Sequence, residues 1–171
     1  MTSSREWWAS FHALLTPRYR ALRYGGGKGT YHTLAPQGDA MLWVEYQRDA
    51  REPEPQVRFC VELRVYLLPL IDARRRGLAP RAMAARENPH WRERLAPEPG
   101  MLDFWWNIDP SEATGGARAI DWHLRAIEER VQPRLREMGS ANALRALWLS
   151  PAFDGLTDIQ RSRYLAALEG L

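Results

Sequence analysis

Three patterns in the 171-residue sequence predict an α+β fold, an antiparallel sheet of about four strands covered on one face by helices. Apolar residues alternate sharply over 56–67, which is the period of a strand with one buried face. Apolar residues over 117–138 recur at steps of three and four, which is the period of an amphipathic helix. Strand-like segments precede this helix and helical segments follow it, so the fold should end in C-terminal helices.

The N-terminal segment predicts a helix over about residues 4–15. Ser4 is suited to cap it, and Pro17 should kink or end it. The glycine run 25–27 should then stop helical structure and connect the helix to the sheet. The predicted apolar face of the helix consists of Trp7, Phe11, Leu14 and Leu15.

Strands are predicted over 41–47 and 56–67, with a weaker one over 30–34. The charged segment 48–55 holds two prolines and should form a surface loop. In the strand 56–67, Val57, Phe59, Val61, Leu63, Val65 and Leu67 should face the core. The opposite, exposed face should carry Arg58, Cys60, Glu62, Arg64 and Tyr66.

The segment 72–99 is irregular, with short helices predicted around 80–87 and 90–95 and a fourth strand predicted over 101–108. The long helix 117–138 should place its apolar stripe across the strand 56–67. A helix after Ser140 and another after Thr157 complete the chain. The predicted stripe of the long helix is Ile120, Leu124, Ile127, Val131, Leu135 and Met138, and the last helix should bury Tyr164, Leu165 and Leu168.

One domain is expected, with a core over about 5–138 and a C-terminal helical appendage over about 140–171. No apolar run approaches the length of a membrane span, and the N-terminus does not resemble a signal peptide, so a cytoplasmic protein is predicted. The net charge is only +3, and the 24 basic residues include a single lysine, Lys28, which is typical of a GC-rich genome.

Eight tryptophans are present, and two pairs are adjacent in the chain, at 7–8 and 105–106. Neighbouring residues on a helix or strand do not both face one core. One member of each pair should therefore find another partner: a covering loop, a second subunit or a ligand.

Catalytic motifs are weak. Lys28 follows three glycines, but Gly29 rather than Ser or Thr follows it, which departs from a phosphate-binding loop. Asp39 and Glu45 resemble the carboxylates of a Mg²⁺-dependent nuclease, but the usual lysine is missing. The single cysteine, Cys60, has no evident base. The four histidines are scattered, so no metal site and no cofactor are predicted, and a non-enzymatic protein is favoured.

Several short motifs resemble a family of small bacterial proteins known as a domain of unknown function (number 4304). They are a glycine-polar-aromatic step, a strand ending in glutamine, an aromatic-x-aliphatic-polar-aliphatic strand, a tryptophan-bearing late strand and an aliphatic-x-Pro-x-Leu step. These motifs are 29–31, 44–47, 59–63, 105–108 and 131–135, so the resemblance covers roughly residues 8–138. It implies an α+β fold and no particular activity.

The leading hypothesis is a non-enzymatic bacterial protein that binds another macromolecule, in the first instance a protein. An immunity-like or defence-associated protein would be one concrete form. The alternative is nucleic-acid binding by segment 72–96, which holds seven arginines and three acidic residues. Without a binding role, this segment would be a solvated connection whose arginines pair with acidic residues such as Glu128. A metal-dependent nuclease is a third alternative, and the oligomeric state is left open. The candidate binding residues are Trp43, Arg58, Arg64 and Tyr66 on the sheet face, and Arg74, Arg75, Arg76 and Trp91 in the arginine-rich segment.

Overall fold

A computed structural model describes residues 3–51, 55–98, 101, 103–153 and 155–169. The fold is α+β, with an open antiparallel sheet and C-terminal helices, as the sequence predicts. The sheet has six strands rather than about four, in the order β1-β2-β3-β4-β5, and β6 also pairs with β4. The strands are β1 (Gly25–Gly27), β2 (Thr30–Leu34), β3 (Ala40–Arg48), β4 (Val57–Leu67), β5 (Trp91–Arg94) and β6 (Trp106–Ile108).

The helices lie before, between and after the strands. Helix α1 precedes the sheet, two short helices lie between β4 and β5, and the remaining helices follow β6. They are α1 (Ser4–Ala21), α2 (Ala73–Arg76), α3 (Pro80–Ala84), α4 (Ala113–Ala126), α5 (Gln132–Met138), α6 (Ala141–Leu149) and α7 (Asp158–Glu169). A 3-10 turn (Leu68–Leu70) follows β4, and a π-helical turn (Ile127–Val131) joins α4 to α5.

The chain forms two compact units. Unit 1 contains residues 1–33, 43–63 and 93–134, and unit 2 contains 34–42, 64–92 and 135–171. Strands β3 and β4 contribute residues to both units. The C-terminal helices belong to unit 2, where α6 packs on α7 and α7 contacts the 3-10 turn.

The aromatic core of unit 1 lies between α1, α4 and the sheet. Phe59 of β4 is fully buried, and its ring lies 5.4 Å from Phe11 of α1 and 5.4 Å from His123 of α4. Tyr46 of β3 contacts the same two rings at 5.6 Å. Burial of several large rings in one cluster removes a large apolar area from water.

The N-cap of α1 is Ser3, one residue before the predicted cap Ser4, and the helix extends to Ala21, beyond the predicted end near residue 15. Ser3 accepts a hydrogen bond from the backbone of Glu6, and the Glu6 carboxylate accepts one in return, which forms a capping box. Pro17 lies inside the helix instead of ending it. Leu14 was expected in the core but is half exposed, and His12 and Tyr19 are buried instead.

The glycine run is a strand and not a helix-to-strand connection. Gly25, Gly26 and Gly27 pair with β2 in an antiparallel hairpin. Gly26 has φ +91°, and a Cβ atom there would lie 2.2 Å from the Thr30 carbonyl oxygen. The hairpin therefore requires glycine at this position for both its backbone conformation and its close approach.

The face of α4 that enters the core differs from the predicted stripe. Ile120 and Leu124 are half-buried, whereas His123 and Ala126 are buried. The predicted continuation is correct, because Ile127, Val131, Leu135 and Met138 are all buried. The π-helical turn adds a residue to one turn, so the stripe before it and the stripe after it do not share one phase.

Three shorter elements also differ from prediction. In place of the helix predicted over 90–95 the structure has strand β5 (Trp91–Arg94), and the predicted strand 101–108 is reduced to β6; Leu102 lies outside the described residues. Helix α7 leaves Tyr164, Leu165 and Leu168 only half-buried. Of the predicted loop 48–55, residues 52–54 also lie outside the described residues.

Candidate functional site

Two short helices and an edge strand carry the arginine-rich segment of unit 2. The Asp72 side chain accepts a hydrogen bond from the Arg74 backbone, 2.9 Å away, and so caps α2. Pro80 opens α3, which suits a residue without a backbone donor. The segment then enters β5, where the His90 backbone donates to the Val65 carbonyl at 2.9 Å.

The arginines of this segment project into solvent while its apolar side chains point inward. Ile71, Met83 and Trp91 are buried, which anchors the segment. Arg75 pairs with Glu87 at 2.5 Å, and this pair raises the pKa of the Arg75 guanidinium. The exposed arginines of the segment are Arg74, Arg75, Arg76, Arg81, Arg86 and Arg92.

Both acidic residues of 72–92 are engaged inside the segment. Asp72 caps α2, and Glu87 pairs with Arg75. Glu128 was expected to pair with an arginine of this segment, but its carboxylate lies 4.0 Å from the guanidinium of Arg18. Among the described residues, no carboxylate pairs with four of the exposed arginines: Arg74, Arg76, Arg86 and Arg92. The sequence of unit 2 contains eleven arginines and seven acidic residues, whereas that of unit 1 contains thirteen basic and fourteen acidic residues.

The predicted segment 72–96 is divided by the structure. Arg94 belongs to unit 1, where its guanidinium lies 2.9 Å from Asp103 and 3.8 Å from Glu62. The same guanidinium lies 5.1 Å from the centre of the Trp105 ring, and Arg58 contacts that ring at 4.9 Å. Arg94 is thus occupied by contacts within its own unit, so the arginine patch comprises residues 72–92 only.

Trp91 does not serve as an exposed platform for stacking. It was predicted to be available to a base, but its side chain is only 6% exposed. Trp91 and Arg92 are neighbours on β5, so their side chains point to opposite faces of the strand. Arg92 therefore lies in solvent because Trp91 lies in the core.

The predicted sheet-face surface is largely covered. Trp43 is 3% exposed and Tyr66 is fully buried, so the expectation that they form open surface is wrong. Arg58 and Arg64 are half-buried, and Arg58 lies 3.8 Å from Asp49. Strand alternation identified the two faces of β4 but not what covers the second one.

The tryptophan pair at 105–106 divides between two environments, as expected from its adjacency, whereas Trp7 and Trp8 both contact the rings of Phe11 and Phe59. Trp106 packs 4.5 Å from both Trp122 and His123, in the aromatic core of unit 1. Trp105 instead contacts the guanidinium groups of Arg58 and Arg94. The second partner is therefore a pair of cations within the chain, a cation–π arrangement that adjacency alone does not specify.

A buried histidine pair is the feature that sequence reasoning missed. Burial lowers the pKa of His12 to about 4, and burial together with nearby His12 lowers the pKa of His123 to about 3. Within the described part of the chain, no ring nitrogen of either residue has a hydrogen-bond partner. Both residues are therefore neutral at pH 7 and pack as aromatic rings. The apolar period of the N-terminal helix predicted that Leu14 would face the core, and it did not include His12 because histidine is not an apolar residue.

The catalytic alternatives gain no geometric support. Cys60 is fully buried, and its thiol lies 3.8 Å from the Gln47 side-chain oxygen. Glu45 accepts from the Gln47 amide at 3.4 Å, and Asp39 accepts from the Ala141 backbone at 3.4 Å. Over the described ranges, no three His, Cys, Asp or Glu side chains form a group suited to a metal ion.

Neither a family model nor a curated protein nor a solved structure matches this chain. The resemblance to the domain-of-unknown-function family thus stays a prediction. In the described part of the chain, no helix has both the length and the apolar character that crossing a bilayer requires.

Proposed function

We propose that this protein binds a nucleic acid through the arginine patch of residues 72–92. The observation that carries the proposal is a set of exposed arginines that pair with no carboxylate in the described part of the chain: Arg74, Arg76, Arg86 and Arg92. A guanidinium group presents several donors in a planar fork, which matches the oxygens of a phosphate. Such contacts release counterions from the polyanion, and this release drives binding.

The composition of the patch favours a nucleic acid over a protein partner. Hot spots of protein interfaces are enriched in tryptophan and tyrosine as well as arginine, and they lie in desolvated pockets at the centre of the contact. The large apolar side chains at 71–92 are withdrawn from the surface, since Ile71, Met83 and Trp91 are buried and Leu78 is half-buried. Exposed cations without exposed anchors are typical of binding to phosphate.

Fluorescence anisotropy tests the proposal with labelled DNA of mixed sequence at low and high salt. A patch variant combines Arg74→Gln, Arg76→Gln, Arg86→Gln and Arg92→Gln. We expect the wild-type protein to bind at micromolar concentration and the patch variant to bind at least about tenfold more weakly.

The matched control variant also loses four positive charges, but from exposed arginines of unit 1: it combines Arg5→Gln, Arg20→Gln, Arg118→Gln and Arg125→Gln. Equal loss of binding in the patch and control variants would show that net charge alone attracts the polyanion. No binding by the wild-type protein at 50 mM salt would refute the proposal.

A protein partner, the other form of macromolecule binding, is favoured by exposed apolar side chains at the C-terminus. Leu149 of α6 is 59% exposed and Ile159 of α7 is 81% exposed. Immobilised protein incubated with a lysate of its source cells would capture such a partner. This second candidate requires that Leu149→Ser with Ile159→Ser abolishes capture while the patch variant retains it.

A further inference from the structure

The arginine patch lacks any aromatic side chain that could stack on a base. Trp91 is the only tryptophan, tyrosine or phenylalanine between residues 72 and 92, and it is buried. Proteins that bind single strands combine a basic groove with exposed aromatic rings, because unpaired bases offer their faces for stacking. With this contribution missing, the affinity of the patch must come from the charge of the phosphates.

The helices of the patch are too short to read bases from a groove. Helix α2 has four residues and α3 has five, so they are about 6 Å and 8 Å long. A recognition helix lies along the major groove and directs several side chains at successive base edges. Arginines on a single helical turn stay at the protein surface. They can therefore reach the phosphate backbone of a duplex but not its base edges.

From these two observations we infer that the ligand is double-stranded nucleic acid, bound through its phosphate backbone without preference for base sequence. The inference rests on the proposed function and names the class of nucleic acid. A duplex presents one negative charge for about every 1.7 Å of its axis, roughly twice the linear density of either strand alone. A patch that depends on charge alone should therefore prefer the duplex.

The number of arginines sets the expected salt dependence. Four arginines that pair with no carboxylate over the described ranges, if each neutralises one phosphate, give a slope of about −3.6 in log K against log salt for a duplex. Raising salt from 50 to 200 mM should then weaken duplex binding by about 150-fold.

Anisotropy titrations with four probes test the inference: a 20-base-pair DNA duplex, one of its strands alone, a duplex of scrambled sequence and an RNA duplex. We expect both DNA duplexes to bind equally and on the order of tenfold more tightly than the single strand. The patch variant should lose this preference together with most of the salt slope, whereas the control variant should keep both. Comparison of the DNA and RNA duplexes identifies which double helix the patch accepts.

The outcomes separate the two proposals. Tighter binding of the single strand, or a strong preference between the two DNA duplexes, would overturn the duplex inference and leave nucleic-acid binding standing. Absence of binding to all four probes at 50 mM salt would overturn both. Circular dichroism of the patch and control variants establishes that each retains the wild-type fold.

Discussion

Acidification should destabilise this protein well before its carboxylates titrate, because three buried histidines are neutral in the folded chain. Burial lowers the pKa of His12 and His90 to about 4, with nearby Glu87 partly offsetting this for His90. The pKa of His123 falls to about 3. In the unfolded chain each imidazole titrates near its ordinary pKa of about 6.5.

A fall in pH should lower the free energy of unfolding. Because the pKa of each folded histidine is lowered, protons bind the unfolded chain preferentially between about pH 6.5 and the folded value. Stability is therefore complete above about pH 6.5 and is lost as pH falls toward 4 and then 3. From pH 7 to pH 5.5 each histidine should cost about 1.3 kcal/mol, and the three together about 4 kcal/mol.

The assay is urea unfolding followed by tryptophan fluorescence at pH 7 and at pH 5.5, for the wild-type protein and for His123→Met. Methionine is similar in volume to histidine, adapts to aromatic surroundings and does not titrate. The comparison is made within each protein: the free energy of unfolding of the variant should fall between the two pH values by about 1.3 kcal/mol less than that of the wild type. The same loss in both proteins would refute the conclusion that His123 is held neutral in the core.

Three further substitutions test the packing, each by the same unfolding assay at pH 7. Phe59→Ala should cost about 3–5 kcal/mol, because the fully buried ring leaves a cavity among at least five aromatic neighbours; a cost under about 1 kcal/mol would contradict this core. Gly26→Ala should cost more than about 1 kcal/mol, since the φ of +91° and the 2.2 Å approach to the Thr30 carbonyl both exclude a Cβ atom. Ile159→Ser should change stability by no more than about 0.5 kcal/mol, because this side chain is 81% exposed; a large loss would place Ile159 in a contact.

Local sequence patterns determined the elements whose signals lie within a few residues. The alternation in β4 and the shorter strands β2 and β3 occur where predicted, and Ser140 caps α6 as expected, accepting from the Ala143 backbone at 3.1 Å. Strand period and helix caps depend on neighbours in the chain, so they can be read without the fold. The arginine content of 72–92 was visible for the same reason.

Tertiary structure decided what lies on the second face of β4 and which arginines stay in solvent. Tyr66 and Trp43 are covered although the alternation predicted one open face, and β5 is a strand because it pairs with the edge of β4. Its four residues carry too little periodicity to predict a strand.

The sequence therefore shows a basic segment, and only the fold identifies the arginines in it that remain available to a ligand. Arg94 differs from Arg92 only through Glu62, which lies more than thirty residues earlier in the chain, and through Asp103 and Trp105. Ion pairs of this kind depend on strand register and on the path of a connecting loop. Neither leaves a periodic signal, because each pair occurs once and joins residues of different segments of the chain.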